Sequence, residues 1–167
     1  MFRKVMSKKI LDSIVRAYGV LLCRIFCNST KNAIGENSEI EFLFLKASYG
    51  NRHWTPPKGL HENNEDGLDT AMRETLEETG IDKDKYKLLN YEKTLKYNVN
   101  DRIKETTYYL ALLLNNEENV KLSDEHTDYK WIHSNESEAY SLPNSLSDLL
   151  ENAEEFLRKN NENMIVH

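Results

Sequence analysis

Between Gly59 and Gly80 the chain reads Gly-x5-Glu-x7-Arg-Glu-x-x-Glu-Glu-x-Gly, seven residues fixed in type and spacing. A chain of this composition would contain that pattern by chance on the order of once in a million sequences. The second half, "DGLDTAMRETLEET", has helical periodicity. At ~100° per residue, Leu68, Ala71, Met72, Thr75, Leu76 and Thr79 share the expected packing side. Glu74, Glu77 and Glu78 are expected on the opposite side, within an arc of about 100°. Gly80 suits the left-handed residue that ends a helix. Like charges this close repel, so the cluster needs a purpose or a solvated face. Solvation alone accounts for charged helix faces in general; it does not account for Gly59 and Glu65 in the preceding loop. Clustered carboxylates are hard oxygen ligands suited to Mg²⁺, which bridges readily to phosphates. Arg73 is expected to brace the site by pairing with a carboxylate such as Glu65.

The rest of the chain frames this segment. Its 167 residues fit one domain. With 39% apolar and 30% charged residues the composition is that of a soluble globular protein. A net charge of −6 speaks against broad adsorption to nucleic acid or membrane. Strands are predicted at "RAYGVLLCRIF", "EIEFLFLKA", "KLLNYEKTLKY", "TTYYLALLL" and "YKWIH", with an irregular segment "SYGNRHWTPPKGLHENNE" before the acidic helix. A last helix follows Ser145, a candidate cap, with Leu146, Leu149, Leu150, Ala153, Phe156 and Leu157 at helical spacing. The expected division is an extension over 1–14, a domain over 15–160 and a frayed tail over 161–167. Strands with two helices among them predict an α/β sandwich. Cys23 and Cys27 show no metal or CxxC spacing and are expected to be buried free thiols on one strand face. The apolar stretch after the basic start is interrupted by Arg16 and Arg24 and is followed by no small-residue cleavage site. A cytoplasmic location is therefore the expectation, with a transit peptide as the lesser one.

The segment from Gly59 to Ile81 resembles the box of the Nudix hydrolases, enzymes that cleave nucleoside diphosphates linked to another group. The resemblance implies a single-domain α/β/α sandwich with a mixed sheet. It also implies that the box glutamates bind Mg²⁺, with Mn²⁺ a possible substitute. Two features depart from the usual pattern: Thr75 replaces a larger aliphatic residue, and "HENNE" replaces a more usual loop. The wider stretches "AIGENSEIEFLFLKASYGNRHWTPPKGL", "LKYNVNDRIKETTYYLALL" and "LSDEHTDYKWI" resemble the animal-type asymmetric diadenosine tetraphosphate hydrolases of that family. By that resemblance His53, Lys58 and Lys104 lie on the phosphate chain and Tyr97 stacks on an adenine. Tyr140 is the candidate second aromatic, and Glu125 joins Glu74, Glu77 and Glu78 at the metal.

The implied reaction is hydrolysis of the tetraphosphate to ATP and AMP by in-line attack of a metal-activated water, with Glu78 or Glu125 as general base. The substrate is thus a small dinucleoside polyphosphate, and a monomer is favoured. Hydrolysis of RNA 5′ ends or diphosphoinositol polyphosphates is the alternative enzyme reading. A non-catalytic nucleotide-binding module is the alternative outside enzymes. His126 is expected to be an ordinary loop histidine, and Tyr129 a core residue beside Trp131.

Overall fold

Alternation along two apolar runs builds two cores, one on each side of a sheet. Strand β1 (Val15–Phe26) sends Leu21 and Cys23 to one face and Val20 and Leu22 to the other. Strand β2 (Glu39–Ala47) divides likewise, Phe42 and Phe44 from Leu43 and Leu45. Successive strand side chains point to opposite faces, and strands covered on both faces read as continuous apolar runs. That is the reason "GVLLC" and "FLFL" lack polar alternation. The computed structural model describes residues 14–27, 34–35, 37–99 and 102–160. The expected tail over 161–167, and the expected extension except Ile14, lie outside the described residues.

The remaining elements are strands β3 (Trp54–Thr55), β4 (Lys58–Leu60), β5 (Tyr86–Val99), β6 (Arg102–Leu113) and β7 (His126–Ile132), with helices α1 (Gly67–Thr79) and α2 (Asn144–Lys159). The sheet runs β3-β2-β1-β6-β5, with β4 added on β1 and β7 on β2. β1 and β6 are parallel, from Val15↔Lys104 to Cys23↔Leu112, and every other pair is antiparallel. α1 covers the core around Val20, Leu22 and Leu43. α2 covers the core around Leu21, Phe42 and Leu110. The result is the α/β/α sandwich with a mixed sheet.

The stretch expected to be irregular is where the sheet splits. β2 pairs with β1 only from Glu39 to Phe42 and then leaves it. The chain from Trp54 to Leu60 enters the gap, β3 pairing with Leu45 and Lys46 of β2, and β4 with Ala17–Gly19 of β1. Pro56 and Pro57 are buried between these short strands, and their fixed φ stiffens the crossing. Gly19 permits the approach, because a Cβ there would lie 2.2 Å from the Pro57 carbonyl oxygen.

Both helices are framed by local chemistry. The Asp66 side chain accepts from the Asp69 N–H at 2.8 Å and starts α1. Gly80, at φ 71°, ends it by donating its N–H to the Leu76 carbonyl at 2.8 Å. The buried face of α1 differs from the expected one: Thr70, Ala71, Thr75, Glu78 and Thr79 are buried, and Leu76 is 44% exposed. On a wheel Glu78 lies only about 20° from Ala71 and Leu76 about 140° away. The helix therefore seats a glutamate on the packing side. Thr75 and Thr79 are buried without cost to the polar balance, since their hydroxyls donate to the carbonyls of Ala71 and Thr75.

At α2 the capping position belongs to Pro143, not Ser145, and no side chain caps it. Leu146, Leu149, Leu150, Ala153 and Leu157 are buried as expected. The cysteines split: Cys23 is buried, while Cys27 is exposed just past the end of β1, and both are free. Among the described residues, no helix is long and apolar enough to cross a membrane.

Leu149 is fully buried at the centre of the α2 core. Leu149→Ala should cost about 2–5 kcal/mol, read as a shift in urea midpoint at constant slope. A cost below about 1 kcal/mol would mean that α2 does not seal this core.

Candidate active site

Three consecutive residues of β4 each meet one side chain of α1. The Lys58 N–H donates to Glu78 Oε2 at 2.9 Å. Gly59 lies against Glu74 so closely that a Cβ would fall 1.9 Å from its carboxyl carbon. The Leu60 carbonyl accepts from Arg73 Nη2 at 3.3 Å. Glycine is thus required at 59 to admit a carboxylate.

Arg73 is the hub of the acidic helix. Its Nε and Nη2 donate to the two oxygens of Glu65 at 2.7 and 3.1 Å, and its Nη1 to Glu74 Oε1 at 2.8 Å and Glu77 Oε2 at 3.2 Å. The Thr70 hydroxyl also donates to Glu65, at 2.9 Å. These bonds, above all those from Arg73, hold the Glu65 carboxyl down to about 2. The expected Arg73–Glu65 brace is present, and Arg73 forms no part of the cleft described below.

Desolvation sets the other carboxylates apart. Burial pushes Glu78 up to about 7, against the Lys58 charge and backbone N–H; Glu74 and Glu125 push it further. Burial likewise raises Glu74, with Glu77 and Glu125 adding to the shift. Glu74, Glu77, Glu78 and Glu125 thus form one electrostatic cluster, in which, among the described contacts, Arg73 bonds to Glu74 and Glu77 and not to Glu78 or Glu125. Among the described residues no three such side chains converge to cage an ion in this arrangement. The donor chemistry fits a hard divalent cation all the same: the oxygens are carboxylate, and the buried Glu78 charge lacks a cation in contact. Glu125 reaches the cluster through its loop, whose backbone is tied to β2 by the Ser48 N–H donating to the Glu125 carbonyl at 2.9 Å.

A cleft of about 630 Å³ opens beside Lys58. His53, Lys58, Tyr97 and Lys104 all line it, although they come from the split edge, β4, β5 and β6. Tyr97 faces Lys104 across the β5–β6 ladder, its hydroxyl shares a 2.7 Å hydrogen bond with buried Thr106, and the residue is 36% exposed. His53 is held by Asn51 Oδ1 at 3.0 Å from its Nδ1. Its pKa is lowered by burial and then by Lys58 and Lys104, and that of Lys104 by burial and Lys58. The two lysines drawn together beside His53 favour an anionic ligand.

Tyr140 does not line this cleft. It stands in an adjoining one and packs edge-on against Trp54, with ring centroids 5.3 Å apart. Tyr49, 59% exposed, lines the cleft instead, a residue the sequence singled out for no role. His126 is not a loop histidine. It opens β7 with its ring buried, Nε2 3.9 Å from Glu78 Oε1 and Nδ1 without a hydrogen-bond partner. Burial, and then Lys58, lowers its pKa. A polar residue beside the exposed Glu125 gives no sequence signal of burial; the pairing of Ala47 with His126 places it there. Tyr129 and Trp131 pack against the α1 core as expected.

Comparison with known proteins matches residues 32–153 to the NUDIX domain family. The bis(5′-nucleosyl)-tetraphosphatase [asymmetrical] of Sus scrofa is 38% identical over 123 residues, 73% of this chain and 84% of that protein. Its namesake in Caenorhabditis elegans is 45% identical over 94 residues, 56% of this chain and 67% of that one. The crystal structure of a C. elegans Ap4A hydrolase binary complex superposes with a TM-score of 0.76 at 34% identity, covering 87% of this chain and 98% of that one. The chain belongs to the Nudix family and has asymmetrical bis(5′-nucleosyl)-tetraphosphatases among its relatives.

Proposed function

We propose that the protein hydrolyses diadenosine tetraphosphate asymmetrically, giving ATP and AMP. The observation that carries this reading is the convergence of Lys58, Lys104 and His53 with the exposed aromatics Tyr97 and Tyr49 on a cleft where the Lys58 N–H is bonded to Glu78. The named relatives agree with it. Residues 15–160 form the catalytic domain in this reading, which acts as a cytoplasmic monomer.

Nudix hydrolases generally need a divalent metal ion. Here Mg²⁺, or Mn²⁺ in its place, would be held by Glu74, Glu77, Glu78 and Glu125. When bound, such an ion polarises phosphoryl oxygens and makes a water a stronger nucleophile. The chain's own groups do the rest. Lys58 and Gly59 fix Glu78 and Glu74 through the β4–α1 contacts. Glu78 Oε2 is engaged by the Lys58 N–H, which leaves Oε1 to take the proton of the attacking water. His53, Lys58 and Lys104 align the phosphate chain for in-line attack and neutralise charge on the leaving nucleotide. Tyr97 stacks one adenine, with Thr106 fixing its ring plane.

Incubation with the tetraphosphate and Mg²⁺, with products separated by chromatography, should give ATP and AMP in equal amounts. Two ADP would contradict asymmetric cleavage, and tight binding without turnover would make the protein a nucleotide-binding module. Turnover confined to capped RNA or diphosphoinositol polyphosphates would replace the substrate.

Glu78→Gln carries two expectations of opposite sign. Turnover should fall at least ~100-fold. The metal-free variant should be more stable than the wild type at pH 8. The sign follows from a folded-state pKa raised from 4.5 to about 7: the fold favours the protonated acid, so stability is lost as pH rises through that window. The gain should vanish near pH 4.5 and has a ceiling of about 3 kcal/mol, at ~1.4 kcal/mol per pH unit. Thermal melts at both pH values measure it; a variant less stable at pH 8 would show that the Glu78 charge is compensated within the protein.

Tyr97→Ala should raise KM about 5- to 100-fold through lost stacking, and Tyr97→Phe should recover most of it. Equal effects of the two variants would make the Thr106 hydrogen bond, not the ring, the contribution of Tyr97.

A further inference from the structure

The cleft that holds Tyr140 shares Asn51, His53, Trp54, Ser141 and Pro143 with the Tyr97 cleft. One extended ligand therefore reaches both by passing His53. The second cleft, about 490 Å³, adds Lys46 and Arg52 to the lining. No Asp or Glu lines either cleft, in a chain with 28 acidic against 22 basic residues. Lys58 and Lys104 on one side of His53, and Lys46 and Arg52 on the other, make a cationic track that His53 joins.

The two added cations are held without acidic partners. Arg16, Arg24, Arg73 and Arg158 each sit on a carboxylate. Among the described contacts Arg52 and Lys46 have no ion pair, and Lys46 Nζ instead stands 5.6 Å over the Trp54 ring. Backbone strain marks the same place. Only three non-glycine residues among those described have positive φ, and two of them, Arg52 at 53° and Ser141 at 52°, line this cleft. Residues held in that region are strained and concentrate at ligand sites. The turn that imposes it on Arg52 is closed by its N–H donating to the Tyr49 carbonyl at 3.1 Å.

We propose that Lys46 and Arg52 form a phosphate subsite beyond His53, which takes the distal phosphates of the substrate and favours dinucleoside polyphosphates with five or six phosphates. The proposal rests on the hydrolase reading above and assigns the second cleft to phosphate rather than to the second base. Its aromatic walls support that assignment: Trp54 and Tyr140 are half-buried against each other, and Lys46 covers the Trp54 ring. Each added phosphate brings charge that an unpaired cation in a concave site attracts.

The test compares kcat/KM for the tetra-, penta- and hexaphosphates in the wild type and in Lys46→Gln/Arg52→Gln. The variant's loss should grow with chain length, at least fivefold greater for the hexaphosphate than for the tetraphosphate, and Lys46→Arg/Arg52→Lys should restore the wild-type ranking. A loss equal at all lengths, or none, overturns the subsite. Calorimetric titration of the metal-free protein with inorganic tripolyphosphate reads the track without turnover: the wild type should bind at least fivefold tighter than the Gln variant at unchanged Tm. Equal affinities overturn the proposal. If no dinucleotide is hydrolysed, the hydrolase reading fails, and the titration still decides the subsite.

Discussion

Everything at the site hangs on the seam between β4 and α1, where Lys58, Gly59 and Leu60 meet Glu78, Glu74 and Arg73 one to one. A short strand lies against a helix that presents carboxylates to it, and only a residue without a side chain at 59 lets the two close. The seam buries Glu78 where its charge is unfavourable. Arg73, bonded to Glu65, Glu74 and Glu77, keeps the neighbouring carboxylates from dispersing. Stability and the proposed chemistry oppose each other here, since a protonated Glu78 suits the fold and the general base proposed for it must be ionised.

The seam exists because the sheet splits. Had β1 and β2 stayed paired beyond Phe42, no edge of β1 would be open to β4. The two prolines and the glycine at 19 hold the inserted segment, and the same segment carries His53 and Lys58 to the cleft wall. The cleft wall and the carboxylate cluster are thereby set from one structural decision rather than two.

Much of this was legible in the sequence, for identifiable reasons. Periodicity located α1, α2 and the long strands because apolar burial imposes it. The fixed residues between Gly59 and Gly80 pointed to a carboxylate site because so few other purposes need that spacing. The convergence of His53, Lys58, Tyr97 and Lys104 came from family resemblance, not from local pattern. The errors have a common origin. Leu76 was expected inside and Glu78 outside because hydropathy cannot register a backbone N–H offered to a carboxylate across a sheet edge. His126 was misjudged because its partner Ala47 comes from β2, far away in sequence, and the packing of Tyr140 on Trp54 is hidden from local pattern for the same reason.

The parallel ladder between β1 and β6 has a consequence for how the protein comes into being. β5 and β6 are joined locally and can zip as a hairpin, whereas Val15 must wait for Lys104 to find its register. Non-local pairings of this kind are slow to form. On the ribosome, β1 emerges first and stays without its central partner until β6 has been made. The apolar stretch "GVLLC" then stays unpaired with β6 in the nascent chain until that strand is made, and the cleft, which draws on both sides of that ladder, is among the last features to appear.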